Sequence, residues 1–231
     1  IIAVKMSTEE NNQIWQQNRI INICTRIPAG LSILCSGYIV YSVLSNHQKR
    51  SSSTQRIVMG MSCSDIIFSL MIFLGSWPMP RGTENTFEAV GNTQTCTMQA
   101  FFIQLSVMTP MYNGLLALYC YLYLCWDWSM QQMKYVELYG HMLVFVSAFS
   151  LAVVFFILGV YGSMTNFCWI EANKDNFYLY RIVFFGAIFW INIFWTIFVM
   201  VRVYILIRRQ EKTMEAYTRE YSSRNTSRRT S

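Results

Sequence analysis

The chain has 231 residues, 54% hydrophobic and only 13% charged, with 18 Lys and Arg against 12 Asp and Glu. A soluble globular domain carries about 25% charged residues, so this composition excludes an ordinary soluble domain. The formal charge of +6 does not point to nucleic acid, because the basic residues gather on one side of a series of apolar segments rather than along a groove-reading face.

Those segments lie at 27–44, 57–77, 97–124, 142–161 and 182–207. A helix needs about 20 apolar residues to cross ~30 Å of hydrocarbon, and in lipid only helices or closed barrels satisfy their own backbone groups. The expected fold class is all-α, a polytopic membrane helix bundle in the lipid bilayer. Residues 1–26 form a polar N-terminal segment, 27–207 the bundle, and 208–231 a basic, Ser-rich tail. Alternate connections differ in charge: Lys49, Arg50, Arg56, Lys134, Arg202 and the arginines and lysine of the tail lie on one side, Lys5, Arg19, Arg26, Arg81, Lys174 and Arg181 on the other. By the positive-inside rule the N-terminus is outside and the tail cytoplasmic. With no signal peptide ahead of it, the first segment is its own insertion signal, and a chain that starts at Ile1 and stops in a Ser/Arg-rich stretch is expected to be a fragment of a longer protein.

The first helix is expected to start at Pro28, a residue tolerated in a first turn. The second contains Asp65, the sole acid in the five segments. An acid there costs ~2.5 to 3.5 kcal/mol on insertion scales, and such residues usually face the bundle interior. Ser62, Asp65, Ser69 and Ser76 follow helical spacings and make one polar stripe. Two readings stay open, a hydrogen-bonded structural knot and an ion or proton site coupled to a conformational change. In the third segment Gln99, Ser106, Thr109, Asn113 and Cys120 form a matching stripe. At ~1.5 Å per residue Asp65 lies ~12 Å and Asn113 ~16 Å from the cytoplasmic ends, close enough in depth to meet. Pro110 between Thr109 and Asn113 predicts a bend, either a hinge or a packing kink.

The fourth segment has no charge, and its small residues Ser147, Ala148, Ser150, Ala152 and Gly159 suit close helix contact. The fifth is rich in Phe and Trp, including Trp190, with Asn192 and Thr196 one turn apart. Gln99, Gln104, Trp169, Trp190 and Asn192 are the candidate ligand-pocket residues. Cys96 and Cys168 both face the oxidising side, where a disulfide is chemically permitted and two free thiols are the alternative. In the tail, Ser222, Ser227 and Thr230 beside arginines are candidate phosphorylation sites. No Lys lies within a spanning segment, and no zinc pattern, nucleophile elbow or phosphate-cradling Gly loop occurs. The sequence predicts neither an enzyme nor a cofactor or metal.

The outside N-terminus, the two outer cysteines, the short loops and the basic tail look like a seven-helix G-protein-coupled receptor, of which five helices are present. The strings Ser76-Trp77-Pro78-Met79-Pro80, Thr95-Cys96-Thr97-Met98-Gln99-Ala100-Phe101-Phe102-Ile103-Gln104, Thr109-Pro110-Met111-Tyr112-Asn113 and Cys168-Trp169-Ile170 resemble the cyclic-AMP-receptor-like receptors of slime moulds and unicellular algae, over residues 20–207. The resemblance implies a Cys96–Cys168 bridge, and Asp65, Ser62, Ser106 and Asn113 as a polar switch core. It further implies an extracellular ligand, a heterotrimeric G protein as partner, and a place in the plasma membrane. The third segment ends without Asp-Arg-Tyr, so G-protein coupling rests on the resemblance alone. The alternative function is an ion- or proton-coupled transporter or channel using Asp65.

Overall fold

The computed structural model describes residues 2–83, 86–126, 128–171, 177–179, 182 and 186–230, the side chains of 2–12, 177 and 219–230 excepted. In chain order the elements are α1 (Ile2–Ser45), α2 (His47–Ser51), α3 (Ser53–Leu74), α4 (Thr93–Leu105), α5 (Met108–Cys125), α6 (Met130–Ile157), β1 (Tyr161–Ser163), β2 (Cys168–Ile170), α7 (Phe177–Leu179) and α8 (Ala187–Thr230). Five stretches, Gln13–Ser45, Ser53–Leu74, Thr93–Cys125, Met130–Ile157 and Ala187–Thr218, are helices long and apolar enough to cross a membrane. The chain is therefore an all-α membrane helix bundle, with α4 and α5 as two halves of its third rod.

Several boundaries differ from the sequence expectation, each for a physical reason. Pro28 lies inside α1 rather than opening it. The preceding polar turns stay helical because Asn18, Asn22 and Arg26, spaced four apart on one face, pack against the connection 76–92: Asn18 and Asn22 are buried, Asn22 Nδ2 donates to Ser76 Oγ at 2.7 Å, and Arg26 lies over the Trp77 ring at 4.5 Å. The fourth rod starts at Met130, a dozen residues before the apolar run. Its start is a capping box in which Ser129 and Gln132 satisfy each other's backbone N–H groups. The fifth rod continues through the basic tail to Thr230 as one helix, in which Arg208 and Glu211 pair one turn apart at 3.6 Å. The hairpin β1–β2 is also new, pairing Tyr161 with Ile170 and Ser163 with Cys168.

The bend of the third rod lies at Ser106–Val107, just ahead of Pro110. A proline ring displaces the carbonyl four residues back, here that of Ser106, and the chain answers with a tight turn: Thr109 N donates to Ser106 O at 3.0 Å and Ser106 N to Ile103 O at 3.0 Å. Pro110 thus falls in the first turn of α5, where its missing N–H costs nothing.

Two apolar cores hold the rods together. One, around Met79, Cys96, Ala100, Phe155, Cys168 and Ile170, lies at the end closed by the hairpin. The other, around Ile57, Met108, Tyr112, Leu115, Met133 and Val144, lies toward the opposite end. At the outer end α3 stops at Gly75, whose φ of 55° and ψ of −125° a side chain rarely tolerates.

Candidate functional site

At the hairpin end, Cys96 and Cys168 are joined by a disulfide, with Cα atoms 5.3 Å apart. It pins β2 across the start of α4. Gln99, one turn further along α4, completes the attachment. Its Nε2 donates to the carbonyls of Met71 (2.9 Å) and Gly75 (2.7 Å), the end of α3, while its Oε1 accepts from Cys168 N at 2.9 Å. Gln99 is buried and its side-chain hydrogen-bonding capacity is spent within the protein. Gln104 is also fully buried. Its Oε1 accepts from the Trp169 indole at 2.9 Å, but its Nε2 has no partner. A buried donor left unpaired costs about 1–3 kcal/mol, which singles out Gln104 among the predicted pocket residues as the one with a hydrogen bond still to give. Tyr161 closes the hairpin's other side by donating to Ala152 O at 3.0 Å, and burial pushes its hydroxyl well above the ordinary phenol range, so it stays a donor.

The connection 76–92 closes the same end over α1. Glu88, at a φ of 61°, accepts from the Trp77 indole at 2.8 Å and from Arg26 at 3.1 Å. The Trp77 hydrogen bond, reinforced by the Arg26 guanidinium, holds its carboxyl below the usual carboxylate range. A group depressed in this way stabilises the fold above its unfolded pKa and loses that contribution as pH falls through the folded value. Acidification is therefore expected to release this clasp, and Glu88→Gln to remove the acid-dependent part of the Trp77 fluorescence change; an unchanged acid transition in the variant would contradict the assignment.

Inside the bundle, Asp65 is half-buried, and its Oδ1 accepts from Thr109 Oγ1 at 2.8 Å; the same hydroxyl lies 3.1 Å from Ser64 Oγ. The second and third rods thus meet through Asp65, with Thr109 as the partner rather than Asn113. The break before Pro110 explains the choice, since it sets Thr109 at the very start of α5. Ser62 and Ser69 are buried on the same stripe, and Ser69 reaches Ser32 of α1 at 2.9 Å. Ser106 is the residue at which α4 ends.

Asn113 lines a separate cavity of about 400 Å³ with Asn192 and Thr196 of α8, walled by Pro110, Phe189 and Ile193. This volume falls in the range of small-molecule sites. Its polar groups are amides and a hydroxyl, suited to a neutral, hydrogen-bonding ligand. The close approach of α8 is set by Gly114, whose carbonyl accepts from Trp195 Nε1 at 3.2 Å and where a Cβ would collide with Asn192. Trp190 is not brought to either place: it is exposed, beside Phe194 at 6.1 Å. The predicted pocket residues therefore fall into an outer group, Gln99, Gln104 and Trp169, and a deeper one, Asn192 with Asn113. The side chains of Ser222, Ser227 and Thr230 lie outside the described residues.

One charged cluster went unread in the sequence. Arg56 at the start of α3 makes a two-pronged ion pair with Glu137 of α6: its Nε bonds Glu137 Oε1, and its Nη2 bonds Oε2 at 2.6 Å. Arg56 also donates to Arg50 O at 2.8 Å and Ser53 Oγ at 3.1 Å. One turn along α6, His141 Nδ1 lies 3.1 Å from the hydroxyl of Tyr112. Asp65 is thus not the only acid in a spanning helix, and His141 is not a solvated imidazole. Both corrections come from the early start of α6, which the Ser129-x-x-Gln132 signature gave away.

No family model matches the chain, and no curated protein matches it. Among solved structures, the crystal structure of squid rhodopsin matches with a TM-score of 0.64 at 14% sequence identity, over 90% of this chain and 56% of that one. The chain thus has a rhodopsin-like fold and spans little more than half the length of that neighbour.

Proposed function

We propose that the chain is the first five helices of a seven-helix G-protein-coupled receptor, with the cyclic-AMP-receptor-like family as the nearest kin in its local motifs. The complete protein binds an extracellular ligand within the bundle and passes the change to a heterotrimeric G protein at the basic end. The observation that carries this reading is the outer cap: a disulfide from the start of the third rod to a β-hairpin laid across it, on a rhodopsin-like bundle. Such a cap fixes one mouth of the bundle. The charge bias of the connections sets that mouth outside and the tail inside, in the plasma membrane. Residues 1–26 are then the extracellular approach to the first rod, and 208–231 the cytoplasmic extension of the fifth.

A ligand shifts such a bundle only through unequal affinity for its two states. The Asp65–Thr109 bond joins the second rod to the third at the Pro110 break, where a small change in bend alters the pairing. Asp65→Asn keeps an acceptor for Thr109 but removes the charge. Hydrogen bonds to charged groups are worth about 1.5–3 kcal/mol, so the variant is expected to shift basal guanine-nucleotide exchange of the full-length receptor by about ten-fold at unchanged surface expression. Unaltered exchange would leave Asp65 a structural knot. Ion or substrate flux that Asp65→Asn abolishes, with no exchange response, would establish the transporter instead.

A further inference from the structure

A second binding site lies on the flank of α5 and α6. Cavities of about 520 Å³ and 250 Å³ share Leu115, Leu118, Gly140 and Leu143 among their lining residues and so form one slot. Its floor is bare because Gly140 has no side chain; a Cβ there would strike the methyls of Leu115, which rests against the helix backbone instead. Along one wall Tyr135 and Tyr139 stack, with centroids 6.5 Å apart and planes 22° from parallel. Tyr139 and Leu143 are 68% and 67% exposed, so the slot opens outward, and at this level of a spanning helix the surroundings are hydrocarbon.

The far end is polar and fixed. Trp128 and Gln132 line it. The capping box uses Gln132 Oε1, which accepts from Ser129 N and Oγ, each at 3.0 Å. That holds the amide in place and leaves its Nε2 as a donor at the end of the slot. From Gln132 to Leu143 the helix climbs about 16 Å. The lining residues of both cavities are all uncharged. Lys134 lines a neighbouring cavity with Met130 and Leu138, on the far side of Tyr135.

We propose that this slot binds a membrane sterol, its flat ring body against Gly140 and Tyr139 and its single hydroxyl accepting from Gln132 Nε2 beside Trp128. The chemistry selects the occupant. An anionic phospholipid would leave its phosphate at an end with no cation in the lining, and a bare acyl chain has no use for a flat wall or a fixed donor. A neutral amphiphile with one hydroxyl and a rigid body uses all three features.

The test is photolabelling of the full chain in phosphatidylcholine vesicles that contain a diazirine-bearing sterol, with the labelled peptides mapped by mass spectrometry. Label is expected to concentrate on residues 115–118 and 135–143, to be displaced by excess unlabelled sterol, and to resist the same excess of phosphatidylserine. Gln132→Glu keeps the capping acceptor and removes the donor; it is expected to weaken displacement by sterol about five-fold, the worth of one hydrogen bond. Leu143→Trp fills the slot from an exposed position and is expected to abolish the site-specific label while the Cys96–Cys168 bridge still forms. Label spread as heavily over the exposed faces of α1 and α8, displaced equally by phosphatidylserine, or undiminished in both variants would overturn the proposal. Because the readout is labelling and not nucleotide exchange, its failure is distinct from failure of the receptor reading.

Discussion

Arg56→Ala is expected to destabilise the bundle by about 3 kcal/mol, since removing one partner of a buried ion pair leaves the other charge uncompensated. Glu137 is the partner left behind: only 10% of its side-chain surface is exposed, and both its oxygens are held by Arg56. For a chain of this size the loss corresponds to roughly 6–12 °C in unfolding temperature. Glu137→Ala should cost less, because the Arg56 side chain is 29% exposed and keeps bonds to Arg50 O and Ser53. Replacing both by apolar residues of similar volume, Arg56→Met with Glu137→Leu, should recover most of the loss. Thermal unfolding of the four proteins in one detergent measures this directly. Equal stability of Arg56→Ala and the parent would show that the pair is a solvated surface contact.

The second large effect is that of the disulfide. Cys96 and Cys168 are 72 residues apart, and closing a loop of that length in a free chain is worth about 4 kcal/mol. Here helices already inserted in the bilayer restrict the unfolded chain, so the expected cost of Cys96→Ser is smaller, about 2–3 kcal/mol. The loss should be local. Freed of the bridge, β2 no longer holds Cys168 N against Gln99 or the Trp169 indole against Gln104, so Trp169 becomes accessible to a quencher while α6 and α8 keep their protection from hydrogen exchange. Loss of protection throughout the bundle would mean that the cap nucleates the whole fold. No change at Trp169 would mean that the hydrogen bonds hold the hairpin alone.

The parts of the architecture that follow from hydrophobicity were legible in the chain itself. Segment number, the polar stripe of the second rod and the bend near Pro110 all follow from the cost of placing polar or imino groups in hydrocarbon. What escaped was set by partners distant in sequence. The helical turns before Pro28 exist because Asn22 and Arg26 find Ser76, Trp77 and Glu88, and no local propensity of an Asn-rich stretch announces that. Glu137 and His141 were hidden by a boundary drawn at the onset of hydrophobicity, although the capping box at Ser129 marked the true start. Depth counting brought Asp65 and Asn113 to similar levels but could not resolve rotation about the rod. One turn separates Thr109, which meets Asp65, from Asn113, which lines the cavity with Asn192. Likewise Gln99 and Gln104 read alike as polar residues near the outer end, yet one is saturated by backbone groups and the other retains a free donor.

The receptor reading depends on which way the bundle is threaded: the disulfide cap must face the outside and the basic end of α8 the cytoplasm. Single cysteines at Thr83, in the connection beside the cap, and at Lys212, beyond the basic end, test this with a membrane-impermeant maleimide on intact cells. The account predicts that Thr83→Cys is labelled at once and Lys212→Cys only after permeabilisation. Immediate labelling of Lys212→Cys with protection of Thr83→Cys would place the disulfide in a reducing compartment and contradict the account.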